Sequence, residues 1–331
     1  MPSYALTNLG PYQKYSYDPY IDLGTVIAAQ DRPIGGNYDT HAAIWSGNWE
    51  LLPDPPSGAV WSVAVYGTAS RVVGFVVPEG EDTNSRGALW EKILGTWQLT
   101  VLPMPTNGIS SNANAISSSG TMIVGQVNGA DAVNRAAVWR KVGGNWTVEE
   151  LPQVHVRAYA NGIDEATEDV IGNMLDVPVW HAVRWHNDGA NWLASTLDLP
   201  GAIPPPPHEV NTEVYQTNGS IKSGAFALLG GPNRAATWDN IDAISDLNVG
   251  DNSFATAEAG GTVVGVQYSA GGEPQGFVWD STNGAQSIHP SGQDWSWPSS
   301  IDAAGRIVGV MGTGSHGNYA GSRAIFMLTE S

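Results

Sequence analysis

Apolar positions in this chain fall into short runs of four to seven residues, each closed by Gly, Pro, Asn or Asp. Residues 112–151 show the arrangement. A partly alternating segment, 112–116, is followed by Gly120 and then by the β-branched run Met122-Ile123-Val124-Gly125-Gln126-Val127. A turn through Asn128-Gly129-Ala130-Asp131 leads into 135–140, Gly143-Gly144 turns again, and 145–151 continues until Pro152 stops it. Short β-prone runs separated by turn residues predict strands joined by hairpins. We call the four strands a, b, c and d.

The unit recurs. Its c segment, Arg135-Ala136-Ala137-Val138-Trp139, has counterparts beginning at His41, Arg86, His181, Arg234 and Gln275, and a worn copy at Arg323. The spacings are 45, 49, 46, 53, 41 and 48 residues, a period that marks a repeat architecture. The b segment recurs as Val72-Val73-Gly74, Val170-Ile171-Gly172, Val263-Val264-Gly265 and Ile307-Val308-Gly309, with weaker versions at 26–28 and 221–224. The d segment begins at Trp49, Trp97, Trp146 and Trp192, each time with Pro soon after.

Four strands per repeat of about 47 residues predict the blade of a β-propeller. Near-continuous apolar strands agree, because both faces of a blade pack on neighbours. The seventh repeat stops after strand c, while 4–10 at the N-terminus reads as an orphan d-strand. Pairing the two would complete the last blade and leave only short edges. The expectation is an all-β chain, residues 1–331 as one seven-bladed propeller closed by its N-terminal strand; six blades with an irregular remainder is the alternative.

Strand a, then Gly-x-x-Val-Gly, then Ala-x-x-Trp resembles the HAF-type "extracellular repeat" proteins over almost the whole chain. That resemblance implies a propeller-like repeat fold and no particular activity.

Composition sharpens the picture. Gly 40, Pro 21 and Trp 14 describe a turn-dense β chain with aromatic filler. A net charge of −18 disfavours nucleic acid and anionic membranes as partners. The absence of Cys excludes disulfides and thiolate metal sites. No apolar run is long enough for a transmembrane helix, and Met1-Pro2-Ser3-Tyr4 opens no signal peptide. Sequons at Asn145 and Asn218 fit a secreted mature form, and a monomer is compatible with a closed ring.

The repeated residues read as architecture. A Trp recurring at one place fills one equivalent hole in each blade, and the repeated Gly marks a place where only bare backbone fits. His41 and His181 share a register with Arg86, Arg135, Arg234 and Arg323, so they read as strand-start tethers and not as metal ligands. Chemistry is sought where the repeats differ, in the d–a loops and b–c turns around one channel mouth. Those loops bring His155, Arg157, Tyr159 and His208 as a polar working group. Tyr17, Tyr20, Trp61, Tyr215, Asp294, Trp295 and Trp297 form its substrate-binding surround, with Glu209 and His289 on the same rim. The Pro204–Pro207 run predicts a stiff polyproline II segment beside them.

HExxH, Walker, GxSxG and EF-hand patterns are absent, so neither cofactor nor metal is expected. One differentiated, aromatic-lined mouth predicts a single small organic substrate and acid–base isomerisation or cyclisation. The architecture is similar to that of propeller enzymes of natural-product pathways, hetero-Diels–Alder cyclases among them. The alternative is a non-catalytic, carbohydrate-binding lectin with Trp49, Trp97, Trp146 and Trp192 as stacking platforms; a scaffold for protein partners is the third reading.

Overall fold

The computed structural model describes residues 4–11, 19–22, 24–34, 37–79, 84–153, 156–164, 167–177, 179–197, 210–218, 221–228, 231–239, 244–316 and 323–330. Its strands form seven antiparallel sheets of four, and no helix occurs among the described residues. Blade 3 is typical, with strands Gly108–Ile116, Met122–Gly129, Asn134–Val142 and Asn145–Glu150 side by side in chain order. The last blade is built from Trp295–Ile301, Ile307–Gly312 and Arg323–Glu330, and the N-terminal Tyr4–Pro11 pairs with the third of these. Seven blades and the terminal closure therefore stand as the repeat count predicts, and the six-blade alternative does not hold.

The first strands are Tyr20–Asp22, Ala59–Gly67, Gly108–Ile116, Arg157–Asp164, Val210–Asn218, Ser253–Ala259 and Trp295–Ile301. Each touches the first strand of the next blade around a complete circle, which makes them the innermost layer. Six of the seven carry a β-bulge at one equivalent place, at Val65, Asn114, Asn161, Tyr215, Thr256 and Ser299. A bulge turns the extra residue out of the ladder. Here several of those side chains bond the neighbouring blade: Asn114 Nδ2 donates to Ala160 O at 2.9 Å, Asn161 Nδ2 to Val214 O at 2.7 Å and Thr256 Oγ1 to Pro298 O at 2.8 Å.

The bulge also explains the repeated glycine of strand b. Opposite each bulge the first strand presses its backbone onto Gly74, Gly125, Gly172, Gly224, Gly265 or Gly309. A Cβ on any of them would overlap a carbonyl oxygen, that of Val63, Asn112, Tyr159, Glu213, Phe254 and Trp297 respectively. These glycines have no left-handed φ; close approach alone demands them.

The c-segment repeats do two jobs at blade interfaces. Indole Nε1 of Trp90, Trp139 and Trp185 donates at 2.8 Å to the carbonyl of Pro53, Pro103 and Pro152, each the proline that ends the preceding blade. The second residue of the pentapeptide, as Ala42, Gly87, Ala182, Ala235 or Gly276, donates its N–H to a buried hydroxyl of the next blade. Those acceptors are Ser62, Ser111, Thr212, Ser253 and Ser296, at 2.8–2.9 Å. This hydroxyl ring has a physical consequence for strand length. Ser110 and Ser111 lie outside the a-strand predicted at 112–116, yet the strand starts at Gly108, because burying Ser111 satisfies a neighbour's N–H.

Candidate functional site at the upper mouth

Because every blade runs a-b-c-d antiparallel, the d–a crossovers and b–c turns lie at one end of the ring and the a–b and c–d turns at the other. We call the first end the upper mouth. Along the first strands, the residue whose carbonyl covers the repeated glycine occupies one backbone position in six blades. The side chains there are Val63, Asn112, Tyr159, Glu213, Phe254 and Trp297, no two alike. All but Val63 are half-buried.

The densest cluster lies between blades 6 and 7. Phe254 and Tyr268 stand 6.1 Å apart by ring centroid at 72°, and Tyr268 and Trp297 stand 6.5 Å apart at 80°. His316, in the b–c segment of blade 7, stacks on Trp297 at 5.6 Å and 7° and meets Trp295 edge-on at 4.8 Å. Two charges hold it. Its backbone N–H donates to Glu273 Oε2 at 2.7 Å, and Arg323 Nη2 donates to its carbonyl at 2.8 Å. Burial, and then the Arg323 charge, push the His316 pKa below its ordinary 6.5 against the opposing pull of Glu273. Burial and the Glu273 charge raise the Tyr268 phenol above its ordinary 10.0. Near neutral pH the cluster thus pairs an uncharged imidazole, able to accept a proton, with a phenol that keeps its own.

A depressed His316 pKa has a stability consequence whose sign is definite. The unfolded chain takes up the proton first as pH falls through 6.5, so the neutral-His contribution is complete above that value and is lost below it. Thermal midpoints from pH 8 to pH 5 should therefore fall more steeply for the natural chain than for His316→Gln. Parallel curves would contradict this.

Comparisons with known proteins give the architecture a setting. No protein-family model matches the chain, and no curated protein does. Solved structures match. The β-propeller domain of the Trilobed protease from Pyrococcus furiosus aligns over 95% of this chain and 94% of its own, at 12% identity and a TM-score of 0.58. A puromycin hydrolase aligns over 92% of this chain and 51% of its own, at 13% identity and a TM-score of 0.64. The acylaminoacyl peptidase of Pyrococcus horikoshii aligns over 90% and 49%, at 13% identity and 0.55. The fold resembles peptidase propeller domains, and the chain spans about half the length of the latter two enzymes. The Pyrococcus furiosus domain has an open velcro topology, whereas here the N-terminal strand pairs with the last. At such identities the likeness concerns fold alone.

Several residues singled out from sequence lie on or just before first strands, in blades 2, 4 and 7. Trp297 is central to the blade 6–7 cluster. Asp294 is exposed, and its Oδ2 accepts the Gly314 N–H at 2.6 Å, which anchors the segment carrying His316. Tyr159 OH accepts from Asn134 Nδ2 at 2.8 Å, its ring lies 5.5 Å from Trp180, and Arg157 is exposed at the start of the same strand. Trp61 meets Phe75 edge-on at 5.3 Å.

Others serve packing. Trp295 is 1% exposed, beneath His316 and Arg323. Tyr20 lies toward the lower end of its blade, 4.2 Å from Tyr66, and burial followed by the Tyr66 interaction drives its pKa well up. His289 Nε2 lies 2.9 Å from the Gln293 carbonyl and must donate to it, so Nδ1 accepts the Ser296 O–H at 2.8 Å, fixing the tautomer within the hydroxyl ring. His41 Nδ1 pairs with Asp54 at 3.0 Å, a tether of the kind its register implies. Tyr17, His155, His208, Glu209 and the Pro204–Pro207 run lie outside the described residues, and of Tyr215 only its backbone place at the bulge is described.

Sequence reading passes over His316, Tyr268, Phe254 and Glu273. The signal for Phe254 is its place one residue after the strand-a hydroxyl, where blade identity changes each time. The other three sit in or beside b–c turns of irregular length, which break the repeat register.

Proposed function

We propose that this chain binds one small, ring-bearing organic molecule at the upper mouth and transforms it without a cofactor, by acid–base isomerisation or cyclisation. One observation carries the reading. A single backbone position, pinned by the same glycine contact in six blades, bears six different side chains, so the mouth is as asymmetric as its scaffold is regular. A binder of repeated units would repeat its contacts; a site for one molecule need not. In the proposed reaction His316 accepts a proton, Tyr268 or Tyr159 donates one, and Trp297 and Phe254 orient the substrate. Arg157 supplies a positive charge at the rim.

The outer tryptophans favour this reading over a lectin. Trp97 and Trp192 are 7% and 6% exposed. Cationic side chains lie over Trp97, Trp146 and Trp192, with Lys92 at 5.3 Å, Lys141 at 5.6 Å and Arg140 at 5.2 Å, which covers faces a sugar would stack on.

Calorimetric titration with a panel of ring-bearing organic molecules, in parallel with oligosaccharides, tests the reading. The expected result is one site per chain for an organic ligand; several equivalent sites for a sugar would overturn it. With a turned-over ligand, His316→Gln should lower the rate about 100-fold or more at pH 8, where the thermal midpoint is unchanged, and unaltered turnover would remove catalysis from the assignment.

A further inference from the structure

Resting on that single-site reading, the geometry points to a more specific ligand class: we infer that the Phe254–Tyr268–Trp297 corner receives an organic cation, an alkylated ammonium group. A cation is attracted to the faces of aromatic rings, best to Trp, within about 6 Å of the centroid. Two perpendicular rings that each present a face to one guest about 4.5 Å away have centroids separated by about 6.4 Å. Tyr268 and Trp297 stand 6.5 Å apart at 80°, and Phe254 and Tyr268 stand 6.1 Å apart at 72°. Three electron-rich rings thus stand in two successive near-right-angle relations, Phe254 to Tyr268 and Tyr268 to Trp297, and the angle between them is the proposed seat of the cation.

The charges nearby have the matching sign. Glu273 lies close enough to raise the Tyr268 phenol and to accept the His316 N–H. Asp294 stands on the same rim, holding Gly314, and the whole chain carries −18, which raises the local concentration of cations. His316, on the Trp297 face, is kept from protonation chiefly by burial, so the imidazole does not itself supply the cation. The positive group of the cluster, Arg323, lies over Trp295 at 5.5 Å and bonds the His316 carbonyl, so it is engaged by Trp295 and His316.

Choline and its uncharged carbon isostere 3,3-dimethylbutan-1-ol separate charge from shape. Titrating each into the full chain, followed by Trp fluorescence and calorimetry, should show one site with choline about tenfold tighter. Trp297→Ala and, independently, Tyr268→Leu should weaken choline about tenfold, with circular dichroism reporting an intact propeller. Glu273→Gln should weaken choline severalfold and leave the alcohol unchanged. Equal or tighter one-site binding of the alcohol would overturn the cation assignment while leaving the single-site reading intact. Undetectable binding of both would overturn the cation assignment alone, and several equivalent sites for either would overturn the single-site reading as well.

Discussion

Trp139→Ala is expected to lower the stability of the protein by about 4 kcal/mol, read from the denaturant midpoint. The indole is fully buried between blades 2 and 3, packed with Leu102, Ala113, Ile123 and Ala137. Two losses combine. Removing the ring leaves a cavity in a region where strands on both sides are fixed by their ladders, so collapse is limited. It also strips the carbonyl of half-buried Pro103 of its 2.8 Å donor, and losing such a hydrogen bond costs about 1 kcal/mol. Trp139→Phe removes the donor while keeping most of the ring volume, and should cost about half as much. Trp146→Ala is the internal control. That ring is half-buried under Lys141 on the outermost strand, and its removal should cost about 1 kcal/mol. Equal losses for Trp139→Ala and Trp146→Ala would show that the pentapeptide Trp does not carry the interface.

Gly125→Ala should destabilise by about 3 kcal/mol, an uncommonly large effect for one methyl group. The added Cβ falls closer than 3.0 Å to the Asn112 carbonyl oxygen and reaches the Ala113 Cα, both of them backbone that cannot rotate away. Relief would require opening the bulge at Asn114, which in turn breaks the Asn114–Ala160 bond to blade 4. The clash is therefore transmitted across an interface. Gly271→Ala provides the contrast, since its nearest neighbour is the Ser269 hydroxyl at 3.7 Å and its φ is ordinary; it should change the midpoint little. A tolerated Gly125→Ala would mean that the first and second strands are not pressed together as described.

These two residues are legible as architecture in the sequence alone, because repetition at a fixed period separates what every blade needs from what one blade uses. The same reasoning located the closing N-terminal strand from a missing d segment. It reached part of the upper mouth too: Tyr159, Trp61 and Trp297 stand out as aromatics that do not repeat. It was less informative where neighbouring blades interact. Nothing in the local pattern distinguishes Trp295, which is buried, from Trp297 two residues on, which is half-exposed. Both rings lie on one side of a regular stretch of strand, and Trp295 is the one that His316 meets edge-on and Arg323 covers. His289 carries the residue type of a working group, yet both ring nitrogens are committed to the Gln293 carbonyl and Ser296. His316 has no repeat position at all, and its importance comes from the Trp297 face beneath it and the Glu273 carboxylate of the neighbouring blade.

By itself the sequence determined the number of blades, the order of strands in each, the closure of the ring and the places where only glycine or a large aromatic fits. Those are set by period, by turn chemistry and by volume, which are properties of short segments repeated. Tertiary structure alone decided which variable residues meet. Phe254, Tyr268, Trp297 and His316 span 63 positions of chain and belong to two blades. They share one corner because the bulged first strands draw the blades together around an axis. Contact across a blade interface depends on that axial packing and leaves no trace in local pattern.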